Sequence, residues 1–250
     1  MEYDMVYRQM QDFFSGVNQN FSLMEDPVDM HVQMSYFESS YRVRDGVNEV
    51  DLLARKDELT DPEVAVEKKK ALLVQMAGVA SPEVYRVLEG YAKEPDKDLE
   101  GWAKMAVQEN RMLLESHLLD SQPVFISTGL GGKGNKLRYF VVLFYKESDD
   151  LKPFQKKIVQ DEISYALQKY DSELENLNFS SKYATMLVVV PLSSDIARMF
   201  RSAIEECNQF GDFLAPEFVV TNMKELSDAE INEAMTANYP ITDDDFPSVD

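Results

Sequence analysis

The chain has 250 residues but one cysteine, two histidines and one tryptophan, and each scarcity closes off some chemistry. A lone Cys207 cannot form an internal disulfide and fits a reducing compartment. His31 and His117 have no His or Cys at ligand spacing, so a zinc site is not expected. Positive charge is also short. Lys and Arg number 25 against 45 Asp and Glu, for a net charge of −20. An excess of that size repels a phosphate backbone and lacks the basic footprint of a nucleic-acid binder, so nucleic acid is not expected as a partner. Nor is there a run near the roughly 20 apolar residues that span a bilayer. Glu2, Asp4 and Asp12 occupy the stretch where a signal peptide needs positive charge. The expectation is a cytoplasmic chain with no membrane segment.

What is present suffices for a packed core, since 44% of the residues are hydrophobic and the length allows one large domain or two ordinary ones. Val6, Met10, Phe13 and Phe14 match one face of a short helix ending near Gly16, whereas residues 17–48 keep no single period. From residue 60 the punctuation sharpens. Asp61-Pro62 and Ser81-Pro82 each set a capping side chain before a proline at the first helical position, and so predict two helix starts. A third helix from about Asp98 aligns Leu99, Trp102, Ala103, Ala106, Leu113 and Leu114.

The triplet Pro-Glu-Val at 62–64 recurs at 82–84, and short joints separate the helices. On those residues the segment 62–117 resembles one to one and a half HEAT-like units. The resemblance implies paired helices stacked through apolar faces, with a protein-binding surface. A small helical bundle accounts for the same pattern.

After Asp120 the character changes. Val124-Phe125-Ile126 and Arg138 to Tyr145 are β-branched and aromatic, and the unbroken apolar run Tyr139 to Tyr145 predicts a central strand buried on both faces. A helix over 153–170 follows, with Phe154, Ile158, Ala166, Leu167 and Tyr170 inward. Then come an edge strand at 177–179, a buried strand at 186–190, and a helix over 194–210 with Ile196, Phe200, Ala203, Ile204 and Cys207 inward. A strand at 218–221 and a last helix after Ser227 complete the order. Ser227 and Glu230 form a capping-box pattern, with Leu226 and Ile231 as its hydrophobic staple.

The fold class read from this order is α+β: a helical N-terminal domain over 1–120, a ferredoxin-like split βαβ domain over 121–235, and an acidic tail over 236–250. One conflict stays open. An extra strand at 123–128 competes with 218–221 for the same sheet edge.

Glycine is scarce except in one place. Four of the ten glycines fall within Gly129, Gly131, Gly132 and Gly134, followed by Lys136 and Arg138, with Lys133 inside the run. No Asp or Glu occurs between Ser121 and Lys146. Glycines let successive N–H groups converge on an anion and nearby cations add charge, so these seven residues are the candidate anion-binding loop. The P-loop spacing fails, because Asn135 and Lys136 stand where Lys and then Ser or Thr are required. An exposed connection whose cations balance an acidic surface is the other reading.

Other constellations carry less. Asp243-Asp244-Asp245 reads as a solvated tail, Cys207 as core, and Ser127 and Thr128 have no assignable base. No cofactor, catalytic residue or metal ligand is expected. Two functions remain: a non-enzymatic interaction or adaptor protein with another protein as partner, or a protein binding a small anion or phosphate-containing ligand through Gly129 to Gly134.

Overall fold

A computed structural model describes residues 21–43, 48–119, 124–147 and 150–236. The expected helix at Val6 to Phe14 and the acidic tail from Asn238 lie outside the described residues. The described chain divides into two compact units that meet between Gly131 and Gly132. Among the described residues no helix is long and apolar enough to cross a membrane.

The first unit is helical: α1 (Met30–Val43), α2 (Glu49–Ala54), α3 (Val66–Ala77), α4 (Pro82–Lys93) and α5 (Glu100–Leu119), with short 3-10 turns at Lys56–Leu59 and Lys97–Leu99. Leu72, Leu73, Met76, Leu88, Leu99, Trp102, Met105 and Tyr36 form one buried cluster. Helix α4 starts where its proline predicts, with the Ser81 hydroxyl accepting from the Val84 N–H. At Asp61-Pro62 the outcome differs. Asp61 Oδ1 accepts from the Glu63 N–H at 2.9 Å, and that local turn delays α3 to Val66. A buried Asn110 on α5 donates from Nδ2 to the carbonyls of Met76, Ala77 and Val79, at 3.0, 3.2 and 2.7 Å. Helix ends leave carbonyls without intrahelical donors; the Met76 and Val79 carbonyls also accept from the N–H groups of Val79 and Ser81, and Asn110 adds a donor to all three.

This unit also holds two short strands, β1 (Phe21–Leu23) and β2 (Val124–Ile126), paired in parallel with Phe21 opposite Val124. The conflict over the sheet edge disappears here, because the segment near 124 never enters the larger sheet. Its backbone groups are satisfied by residues about a hundred positions upstream.

The second unit is the α+β sandwich. It comprises β3 (Gly132–Lys133), β4 (Lys136–Tyr145), α6 (Pro153–Lys169), β5 (Glu173–Phe179), β6 (Tyr183–Pro191), α7 (Ile196–Asn208), β7 (Leu214–Thr221) and α8 (Asp228–Thr236). The strands run β7, β4, β6, β5 across an antiparallel sheet. That is the split βαβ order. The two-residue β3 pairs with the start of β4, on the edge that β7 occupies further along.

Side chains alternate across a strand, so the register assigns the faces. Phe218 lies opposite Leu143 and packs on Phe200 of α7 with ring centroids 6.1 Å apart, which puts the odd-numbered residues of β4 on the helix side. Phe140, Val142 and Phe144 point to the other side, yet they too are buried. On α7 all five residues expected inward are buried. On α6 the buried stripe is Val159, Ile163 and Leu167, while Phe154 is 55% exposed: the i, i+4 spacing of three aliphatics outweighs the single aromatic in the first turn.

Candidate functional site

The glycine-rich loop is divided between the two units. Gly129, Gly131 and Gly132 are buried, so their backbone is packed against protein rather than offered to a ligand. Gly131 has φ +66°, and a Cβ built there would lie 2.3 Å from the Glu25 carbonyl oxygen. That glycine exists because two backbones of the helical unit approach closely. Beside it, Thr128 Oγ1 donates to the Gly131 carbonyl at 3.2 Å, and buried Gln33 donates through Nε2 to the Val28 and Thr128 carbonyls at 2.7 and 3.1 Å. Ser127 donates to Gln33 Oε1. Ser127 and Thr128 are therefore occupied in tying down the loop.

Gly134 plays a separate part. It has φ +61° with nothing near its Cβ position and starts the two-residue turn Gly134-Asn135 between β3 and β4. Positive φ at the first turn residue alone is the type II′ hairpin.

The three cations of the candidate loop do stand together on the sheet, but each meets a carboxylate. Lys133 Nζ lies 2.5 Å from Glu173 Oε2. Lys136 Nζ is 3.2 Å from Asp171 and 3.8 Å from Glu173. Arg138 clasps Glu175 through Nε and Nη2 at 2.5 and 2.9 Å. These bridges pass over β6, since Val189 faces both Arg138 and Glu173. Hydrogen bonding to Glu173 raises the Lys133 pKa, and the same contact lowers that of Glu173. The acid-free stretch is acid-free only along the chain. In space, β5 supplies a carboxylate for each cation, and an anion would have to displace them.

A different site lies on the sheet face opposite α6 and α7. There an open pocket of about 260 Å³ lies between the sheet and the segment leading into α8, lined among others by Phe140, Asn178, Tyr183, Thr185, Leu226 and Ile231, with Glu225 and Asp228 at its acidic side. Local sequence positions each wall. Tyr183 and Thr185 are alternate residues of β6, with Phe140 from β4 on the same face. The cover is held by the capping box: Ser227 Oγ and N both donate to Glu230 Oε2, at 2.7 and 2.9 Å, and Lys224 pairs with Glu230. Together these contacts depress the Glu230 carboxyl to about 2, with the Lys224 hydrogen bond the largest cause.

One hydrogen bond joins floor to cover. Tyr183 Oη donates to Asp228 Oδ1 at 2.6 Å. That bond, followed by burial, raises the phenol pKa, so Tyr183 is a neutral donor rather than a nucleophile. Cys207 is also inert, since burial pushes its thiol up to about 12. Among the described residues no group of His, Cys, Asp or Glu is arranged to hold a metal ion.

The sequence reading missed this cavity. Its signal was present in the staple pair Leu226 and Ile231 and in the alternation Tyr183-x-Thr185, but nothing local shows that the two segments meet.

No family model matches the chain, and no curated protein does so. Solved structures do. The chain is similar to a putative transposase from Deinococcus radiodurans, at 17% identity and TM-score 0.36, over 42% of this chain and 93% of that one. It is also similar to a REP-associated tyrosine transposase bound to a REP hairpin, at 11% identity and TM-score 0.32, over 44% and 73% of the two chains. These neighbours are transposases rather than adaptors. Against them the reading as a non-enzymatic adaptor and the expectation that nucleic acid is unlikely do not stand. The physical fault in that last expectation is that a net charge sums over the whole chain, whereas binding depends on the local field of one face. At such TM-scores neither neighbour assigns an activity here.

Proposed function

We propose that the α+β unit binds a small organic molecule in the cavity beneath α8. The carrying observation is the lining itself: polar groups from Asn178, Tyr183 and Thr185 converge on one space that Phe140, Leu226 and Ile231 back. Ligand sites combine those features, and drug-sized ones run to roughly 300–1,000 Å³. At about 260 Å³ this one suits a smaller molecule, displacing on the order of nine waters at ~30 Å³ each.

The test is a fragment titration followed by NMR on the full chain. Binding should move resonances of Phe140, Tyr183, Thr185 and Ile231 together, and the cavity-filling change Thr185→Phe should abolish the response while the fold is kept. The proposal fails if no fragment perturbs those residues, or if the filled variant responds as the wild type does.

A further inference from the structure

Resting on that reading of the cavity, we infer that its ligand is a small organic cation, a protonated amine or amidine carried on a ring or short chain. The lining contains two carboxylates, Glu225 and Asp228, and neither lysine nor arginine. The nearest cation in sequence, Lys224, is engaged by Glu230 and does not neutralise Glu225, which has no ion-pair partner among the described residues. Asp228 uses Oδ1 for the Tyr183 hydroxyl. Its remaining oxygen is available to a second donor, because an ionised carboxylate accepts at both oxygens. Tyr183 adds no charge of its own.

An anion in this space would face two negative groups with no compensating donor charge, and a neutral molecule would leave the carboxylates to water. A cation gains charge-assisted hydrogen bonds to them, while its carbon skeleton meets the half-buried Leu226. The chain's net charge of −20 raises the local concentration of cations in the same sense.

Three probes of one shape separate the possibilities: benzylamine, benzyl alcohol and benzoate, titrated calorimetrically and by NMR into the full chain. Benzylamine should bind about tenfold tighter than benzyl alcohol, an advantage that charge-assisted contacts of this kind provide. Its affinity alone should fall with added salt. Glu225→Gln, at an exposed side chain, should remove part of the preference for benzylamine over benzyl alcohol, and Asp228→Asn, which keeps an oxygen for the Tyr183 hydroxyl, part of the remainder. If benzyl alcohol binds as well as benzylamine, or benzoate binds best, the cation assignment is wrong and the cavity remains a site. If none of the three perturbs the lining residues, the site reading itself falls.

Discussion

Tyr183, on the central strand β6, and Asp228, the first residue of α8, are joined side chain to side chain by a 2.6 Å hydrogen bond. Apart from this bond, α8 contributes to packing through one fully buried side chain, Ile231. A helix of nine residues is too short to persist on propensity alone. Its place over the sheet therefore depends on these few contacts together with the capping box.

Removing the phenol hydroxyl should loosen that cover. For Tyr183→Phe we expect a loss of about 1 kcal/mol, the net worth of a typical hydrogen bond whose other partner can turn to water. Amide exchange should speed up in 228–236 more than in β4 or β6. The alkaline limb should change as well. A phenol whose pKa is raised on folding adds stability at pH values below its ordinary titration and loses it as pH rises through the raised value. In a denaturation series from pH 8 to alkaline conditions the variant should lose that part of the dependence and keep the part due to Tyr91 and Tyr145, whose phenols burial also raises.

Acid should act on the same helix through Glu230. Its carboxyl is held down to about 2, so its contribution is complete above the ordinary carboxylate range and is lost as pH falls from there through about 2. Amide exchange or NMR line positions in α8 should follow that window. Glu230→Gln should remove the pH dependence and weaken the helix start at neutral pH. An unchanged acid response in the variant would assign the effect to another carboxylate.

The glycines of the loop should differ in their tolerance. Gly131→Ala places a methyl 2.3 Å from a backbone oxygen at φ +66°, and the backbone of the helical unit must move to admit it. We expect a loss of about 3 kcal/mol or more, from left-handed strain of roughly 1–2 kcal/mol plus overpacking of roughly 1–3 kcal/mol. Gly134→Ala meets open space at φ +61° and should cost only the strain, with Gly134→Asn costing about as much, because the first position of a type II′ turn lies outside the left-handed region that asparagine accepts. Urea denaturation of the three variants gives the order directly.

Asn110 is a fully buried polar side chain of the helical unit. Asn110→Ala removes a donor from the carbonyls of Met76, Ala77 and Val79; Met76 and Val79 keep the N–H groups of Val79 and Ser81, so Ala77 loses most. The cost should be about 2 kcal/mol or more, from the Ala77 acceptor left unsatisfied and the space left behind. Asn110→Leu fills the space but supplies no donor, so it should recover little. Full recovery by leucine would show that packing, not capping, is the role of Asn110.

Parts of the architecture were legible because they depend on near neighbours. The 3.6-residue spacing of Ile196, Phe200, Ala203, Ile204 and Cys207 is enough to orient α7. The unbroken run Tyr139 to Tyr145 is enough to place β4 inside a sheet covered on both faces, and Ser227 with Glu230 closes its capping box as expected. Phe154 shows the limit of such reasoning, since one aromatic in a first turn cannot outvote Val159, Ile163 and Leu167.

The candidate site was legible only as an inventory of residue types. Lys133, Lys136 and Arg138 were visible as a cluster, but their neutralisation by Asp171, Glu173 and Glu175 arises because β5 lies two strands away across β6, some 35 to 40 residues later in the chain. Likewise Val124 to Ile126 was legible as a strand, but nothing in those residues names Phe21 to Leu23 as its partner.

The glycine cluster separates the two kinds of information. The sequence alone determined that residues 129–134 need unusual backbone freedom, that α+β is the class of the second half, and which face of α7 is apolar, because periodicity and backbone sterics act over a few residues. Only the tertiary structure decided that Gly131 serves close packing while Gly134 serves a turn, that the neighbouring cations are paired, and that Phe140, Tyr183 and Asp228 surround a common space. Those outcomes depend on strand pairing and on charges brought together from distant positions, and neither distance nor dielectric surroundings can be read from the order of residues.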